Sequence, residues 1–390
     1  MFSHSELINQ SDCVVVGSGF YGLTVAEVAA RVYRRKVLII EQREHIGGNA
    51  YSYFDPDSGI EIHKYGSHLF HTSNRSVFDY ISRFTSLNDY RHRVKAKSND
   101  KYYDIPINLG TISSVYEKVL TPTEAQNLLF EITKNYQSLK RENLEEKAIS
   151  LVGLKLYEKF IKGYTSKQWQ TDPKLLPADI INRLPVRFNF NDEYFDDKWQ
   201  GLPIDGYQAW FNSMVENVNI NILLNTDFFN IKHLLKDKKV IFTGPIDRFF
   251  NYKFGALGWR TLDFEIETHE VVDYQGVAVL NYVDEEVPWT RIHEFKHLHP
   301  ERNPKDGVTV IMKEFSRAAY ELDDPYYPIN SSLDREKLAK YRELAKRERN
   351  VAFGGRLGTY KYLDMHMAIA SALSFMNNEF DEWLRDNCAQ

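Results

Sequence analysis

Only two cysteines, Cys13 and Cys388, occur in 390 residues, so no disulfide framework holds this chain and a reducing compartment suits it. No apolar run approaches the length of a bilayer span, and Met1 to Asp12 lacks a signal-peptide core. A cytoplasmic protein without membrane insertion is therefore expected. A basic surplus is missing too. With 49 Lys and Arg against 54 Asp and Glu, the net charge is -5, which argues against general nucleic-acid binding. Any anionic ligand must then be held by a few placed arginines. Internal repeats and low-complexity stretches are absent, which excludes solenoids and linker-joined arrays. Aromatic residues are the one abundance: 24 Tyr, 24 Phe and 6 Trp suffice to stack on a ring-bearing ligand after the core takes its share.

Cys13 to Val16 reads as a buried strand, Leu23 to Arg31 as a helix and Val37 to Ile40 as a second strand. From Pro122 to Thr165 the pattern is helical, with Pro122 suited to a first turn after Thr121. After Leu184, short aromatic and β-branched runs such as Pro185 to Phe190 and Val277 to Val283 predict antiparallel sheet. The tail returns to a strand at Val351 to Phe353, then glycines, then a long helix from Met365 to Trp383. First and last segments of one type predict an α/β fold with a discontinuous Rossmann-like domain closed by the C-terminal segment. Its expected parts are residues 10–86, 206–250 and 345–388. A helical domain is expected at 110–184, and a twisted antiparallel β-sheet from 87–109, 185–205 and 251–344.

Gly17-Ser18-Gly19-Phe20-Tyr21-Gly22 fits G-x-G-x-x-G between the first strand and the first helix. Glycines there permit a tight turn and the close approach of a pyrophosphate to main-chain N–H groups. Glu41 ends the second strand 19 residues beyond Gly22, where a carboxylate accepts from a ribose hydroxyl. Gly47-Gly48 adds a second close-approach loop that resembles those of glutathione-reductase-like flavoproteins, so the expected dinucleotide is FAD. Near the end, Gly354-Gly355-Arg356 follows the last strand, and Asp364 precedes the last helix as an N-cap. That helix start would also face a flavin pyrimidine and favour its reduced anion. Two histidine patterns invite a metal reading. His63, His68 and His71 share a segment but lack a fourth ligand at suitable spacing. His293-Glu294-Phe295-Lys296-His297 satisfies H-E-x-x-H, yet its start reads as strand running on from Thr290. Neither is taken as a metal site.

Longer segments carry a family resemblance over nearly the whole chain. They are His45 to Tyr51, His63 to His71, Gly163-Tyr164-Thr165-Ser166-Lys167-Gln168-Trp169, Arg183 to Arg187, Thr290-Arg291-Ile292, Pro325 to Pro328 and Gly358 to His366. In this order they resemble the bacterial UDP-galactopyranose mutases. The resemblance implies interconversion of UDP-galactopyranose and UDP-galactofuranose through a covalent adduct on N5 of reduced FAD, without net redox, to supply galactofuranose for cell-surface glycans. NAD(P)H or another reductant is implied, as is a homodimer. Arg183 and Arg291 match the diphosphate arginines, with Tyr194, Tyr327 and Tyr362 as hydroxyl donors. Tyr164 and Trp169 would flank the uracil, with Phe160, Thr165 and Gln168 nearby and Asn281 on the nucleotide. His68 would lie beside the flavin. Cofactor contacts are implied for Gly17, Gly19, Phe20, Gly22, Glu41, Gly47, Gly48, Asn49, His68, Gly244, Arg356, Tyr362, Asp364 and Met365. Tyr164 to Pro173, aromatic yet polar, reads as a lid. Trp289 stands where members of this family often have Tyr. Ser67 occupies a variable position near the sugar, so tolerance of a 2-acetamido group stays open.

Overall fold

The structure, a computed structural model, describes residues 3–183, 185–320 and 323–386. Leu184 and Cys388 lie outside these, as do the side chains of Asn182 and Arg183. Five parallel strands form one sheet in the order Val351–Phe353, Lys239–Phe242, Cys13–Val16, Val37–Ile40, Ile220–Leu223. The three central strands are buried along their whole length, as continuous apolar runs in a doubly covered parallel sheet should be. The helix Phe20–Arg31 comes directly after the first strand and is buried from Phe20 to Ala30. Against it packs Met365–Asn378, tied in by Tyr33 Oη donating to the Met376 carbonyl at 2.6 Å. The long terminal helix expected from the sequence is broken: Glu379 leaves the helical region (φ -128°, ψ -32°) and Phe380–Arg385 is a separate turn of helix. Phe380 thereby reaches the core beside Tyr33, Phe375 and Trp383.

The second sheet has seven strands, ordered Tyr327–Pro328, Trp259–His269, Thr309–Ala318, Arg291–Glu294, Val279–Tyr282, Val94–Ser98, Lys101–Ile105. It is not purely antiparallel as expected, because Val279–Tyr282 runs parallel to Val94–Ser98. A hairpin would force antiparallel pairing, but the chain between these two strands is a long crossover and allows either direction. Pro185 to Phe190 forms no strand; its main chain makes isolated bonds, Arg187 N–H to the Ile107 carbonyl and Leu109 N–H to the Asn189 carbonyl.

From Leu109 to Arg183 the chain is mostly helical. Thr121 caps Pro122–Lys134 in a reciprocal box with Glu124, as the Thr-Pro-x-Glu pattern favours. Leu144–Val152 leads to a π-helical turn, Tyr157–Lys162, and on to the helix Gly163–Trp169. A Cβ on Gly163 would stand 2.3 Å from the Val283 carbonyl oxygen, so this helix sits directly on the second sheet. No helix among the described residues is long and apolar enough to cross a membrane.

Candidate active site

Sheet register assembles the first part of the site. Asn281 pairs with Arg291, and Arg291 pairs with Glu314, so three polar side chains lie in a row across adjacent strands. The Glu314 side chain is only 3% exposed and lies 3.4 Å from Arg291 Nε. It also accepts from Thr290 Oγ1 at 3.3 Å and faces His293 Nε2 at 3.1 Å. Burial pushes this carboxyl up, but Arg291, His293 and Thr290 outweigh it and hold it at about 2. For Arg291 burial opposes the charge, yet Glu314 overrides it, so the guanidinium stays firmly charged. Its Nη2 donates to Tyr164 Oη, and Tyr164, Tyr327 and Tyr194 surround it.

Beside Arg291 lies a cavity of about 210 Å³ lined by Phe160, Tyr164, Thr165, Gln168, Trp169, Tyr194 and Asn281, together with aliphatic residues of the helical region. Seven of the residues expected to bind substrate thus share one wall. The π-helical turn delivers Phe160 to it, and π-turns recur at functional sites because the extra residue re-aims a side chain. Asn281 Oδ1 and Gln168 Oε1 are buried in this wall without a hydrogen-bond partner in the protein. Two unpaired carboxamide oxygens are costly in a folded chain unless a ligand donates to them.

Tyr164 to Trp169 is not the loose polar loop expected of a lid. Lys167 Nζ donates to the carbonyls of Tyr282, Val287 and Trp289 at 2.7, 3.0 and 3.1 Å. Arg260 Nε and Ser316 Oγ both donate to the Gln168 carbonyl. Helical geometry ends at Gln170, in the left-handed region at φ +46°. Arg183 closes the short helical turn Ala178–Arg183.

A second group meets at Tyr327, which also borders Arg291. Tyr327 and Tyr362 stack at 5.9 Å, and the Arg356 guanidinium lies 5.0 Å from the Tyr362 ring centroid. Arg356 is anchored by the carbonyls of Tyr326 and Leu363. His68, pushed down to about 4 mainly by burial, has Arg356, His293 and Glu314 around it, and its Nδ1 donates to the Gly66 carbonyl at 2.7 Å. His63 accepts from the His68 N–H, whereas His71 turns to Asp197 at 2.6 Å, so the three histidines do not converge. His71, Asp364 and His366 instead bring their ligand atoms within 4.8 Å of one another. His293 and Glu294 lie in a strand and His297 in the following 3-10 turn, which separates the two imidazoles of the H-E-x-x-H pattern. His293 faces Ser67 and Glu314, while His297 pairs with Asp273.

The glycine loop has the form a dinucleotide needs. Gly17 has φ +95°, and a Cβ on Gly22 would fall 2.0 Å from the Gly17 carbonyl oxygen. A Cβ on Gly19 would meet nothing within 4 Å, so the helix start there faces open space. No side chain caps the helix behind Gly19, nor the one behind Asp364, which stands at the N-cap position but makes no capping bond. Both helix starts offer free N–H groups to an anionic ligand. Glu41 is buried and holds the loop itself, accepting from Ser18 N–H at 2.9 Å and Ser18 Oγ at 2.6 Å. The Phe20 ring packs against Tyr207, Trp210 and Phe211, leaving its main chain to serve a cofactor. Gly47 approaches the Ser18 carbonyl, and Gly48 lies against Gly19. Sequence reasoning passed over Arg43, which reaches Asn49 and Asp324 at 2.9 Å each. It also passed over Glu314, although an acid in the apolar register of Thr309–Ala318 was a signal.

This fold and loop define a flavoprotein-type dinucleotide-binding α/β protein, with a mostly antiparallel second sheet beside the cofactor domain. The family model "UDP-galactopyranose mutase" matches residues 159–362, and "NAD(P)-binding Rossmann-like domain" matches residues 15–84. The chain is 43% identical to a "Probable UDP-galactopyranose mutase" of Klebsiella pneumoniae, with 94% of each chain covered. It is 41% identical to a "dTDP-fucopyranose mutase" of Escherichia coli, over 92% of this chain and 96% of the relative. A crystal structure of reduced UDP-galactopyranose mutase superposes with a TM-score of 0.69 at 14% identity, covering 96% of both chains. The chain belongs to the UDP-galactopyranose mutase family.

Proposed function

We propose that this chain interconverts UDP-galactopyranose and UDP-galactofuranose. The observation that carries this is the cavity lined by aromatic rings and two unpaired carboxamides, with the firmly charged Arg291 bonded to Tyr164 of its wall. Rings and carboxamides suit a nucleobase, which stacks and offers N–H donors; a guanidinium suits the diphosphate, which it grips in pairs. In this reading Phe160, Tyr164 and Trp169 enclose the uracil and Thr165, Gln168 and Asn281 contact the nucleoside. Arg291 and Arg183 bind the diphosphate, assisted by Tyr194, Tyr327 and Tyr362. The dinucleotide rests on Gly17, Gly19, Gly22, Gly47 and Gly48, with Glu41 and Asn49 at the ribose end. Gly244, Arg356, Asp364 and Met365 take the flavin end, with His68 beside the ring. Reduced FAD, when bound, supplies the nucleophile for the anomeric carbon. The residues named here position the sugar, neutralise the departing diphosphate and exclude water.

The test incubates dithionite-reduced protein with UDP-galactofuranose and, separately, with dTDP-fucofuranose, and separates the products by chromatography. UDP-galactopyranose should form the faster, and only while the flavin is reduced. Faster turnover of the thymidine nucleotide would replace the substrate named here. Equal turnover by air-oxidised protein, or one reductant consumed per product, would refute the redox reading.

A further inference from the structure

Ser67, His293 and Glu314 form a chain that the family match does not call for. Ser67 Oγ lies 2.8 Å from His293 Nδ1, and His293 Nε2 lies 3.1 Å from Glu314 Oε2. The middle is sealed: His293 and Glu314 side chains are 2% and 3% exposed. Both ends are wet, because Ser67 is half-buried and Arg291, on the far oxygen of Glu314, is 29% exposed. With Glu314 ionised and burial holding His293 neutral, the Nε2 proton points at the carboxylate. Nδ1 is then an acceptor and takes the Ser67 hydroxyl proton. That leaves the lone pairs of Ser67 Oγ free to accept a proton, on a half-buried residue next to His68 in the chain. This is the hydroxyl–imidazole–carboxylate order that activates hydroxyl groups in acyl transfer, with the two ring nitrogens exchanged.

We propose that Ser67, His293 and Glu314 are a proton relay for a hydroxyl of the bound sugar. The inference rests on the functional reading above, since a nucleotide diphosphate on Arg291 is what brings a sugar to this end. When the ring closes, the sugar hydroxyl gives its proton to Ser67 Oγ as Ser67 passes its own to His293 Nδ1. The electron pair of the broken O–H bond stays on the sugar oxygen and forms the new bond to the anomeric carbon, which in turn would release an electron pair to the bound flavin. The imidazolium so formed faces Glu314. The imidazolium then releases its proton to solvent through the half-buried Ser67 end, and the ring oxygen freed at opening takes one from solvent, so an isomerisation consumes none. Ser67 touches the substrate; His293 and Glu314 position and poise it. Glu314 and Arg291 from the second sheet, His63 from the strand Glu61–His63, His68 from the loop after it and His92 from the segment before Val94 are the ionisable groups facing His293.

Reduced wild type, Ser67→Ala, His293→Gln and the double variant are compared for kcat against pH, for KM and for UDP affinity. Flavin absorbance serves as the check on folding. Wild-type kcat should fall on the acid side, below pH 6.5, as one group protonates. Each single variant should lose about 10²–10⁴-fold in kcat and lose that acid limb, with UDP affinity unchanged. The double variant should lose no more than either single one. Additive losses, or a Ser67→Ala protein with wild-type kcat and an intact acid limb, would overturn the relay. Should His293→Gln not retain flavin, Ser67→Ala decides alone, since its side chain is partly exposed. Wild type that fails to bind UDP overturns the functional reading and the relay together. UDP binding with unaltered kinetics in Ser67→Ala overturns only the relay.

Discussion

At the scale of single residues, the glycine loop separates two jobs that one motif conflates. Gly22 lacks a Cβ because the Gly17 carbonyl occupies its place, whereas Gly19 has open space there and an extended φ of -70° that alanine accepts. Gly22→Ala should therefore lower the melting temperature or abolish soluble protein. Gly19→Ala should melt like wild type as apoprotein but retain less FAD, measured by absorbance after gel filtration. Equal flavin content in Gly19→Ala would place the pyrophosphate elsewhere. Arg291 likewise has two roles, because it neutralises Glu314 as well as donating to Tyr164 of the cavity wall. Arg291→Ala should weaken substrate binding and turnover by about 2–5 kcal/mol, and should also destabilise the fold by stranding a buried carboxylate. Adding Glu314→Gln should restore the melting temperature but not the activity, and Arg291→Lys should restore activity only in part. Activity recovered by the Glu314→Gln addition would mean that Arg291 serves structure alone.

Among the elements, the helix Gly163–Trp169 and the segment after it divide the expected lid. The Lys167 amine, shifted down to about 8 mainly by burial, spends its three donors on the carbonyls of Tyr282, at a strand end, and of Val287 and Trp289 in the connection that follows. Lys167→Met should cost about 3 kcal/mol of stability and raise KM, because Trp169 rides on the same helix. We place any moving segment at 170–183, after the left-handed Gln170. Amide exchange should be slow across 163–169 with or without UDP and should slow on UDP binding only across 170–183; fast exchange across both when free would restore the longer lid. This division shows where sequence reading stops. The strand, glycine loop and helix of the first unit were legible because local pattern dictates them, and the glycines mark places with no room for a side chain. The anchoring of Lys167 was not, because three carbonyls from residues 282–289 decide whether a polar segment is solvent-facing or pinned. The terminal helix failed at Glu379 for a similar reason: helical spacing continued, but Phe380 found a better place in the core. Arg291 was legible only through its family motif; Glu314 stood out as an acid in an apolar register, but its pairing with Arg291 did not, since register between residues 23 apart is a tertiary fact.

For the whole molecule, buried ionisable groups set the response to acid. His63 and His92 are held at about 3 and His68 at about 4, chiefly by burial. All three are neutral in the fold and protonate near 6.5 once unfolded. The stability they permit is complete above pH 6.5 and declines as pH falls toward 4 and 3. Glu314 and Glu294, held at about 2 although burial opposes it, add stability that is complete above about 4.5 and is lost on approach to 2. Urea denaturation at pH 7.5, 6.0 and 4.5 should thus show stability already falling between the first two, before any carboxylate titrates. A flat profile down to pH 5 would mean that the histidines are solvated. The parallel sheet carries a further consequence, for synthesis. Lys239–Phe242, wholly buried, sits between Cys13–Val16 and Val351–Phe353. On the ribosome some 110 residues must still emerge before its outer edge is covered, because the strand that covers it begins at Val351. Until then the nascent chain presents a bare apolar edge to its neighbours, the kind of surface that chaperones bind and that pairs with other chains. A message broken before codon 351 would yield a product that cannot close its cofactor sheet, so quality control should find such fragments readily.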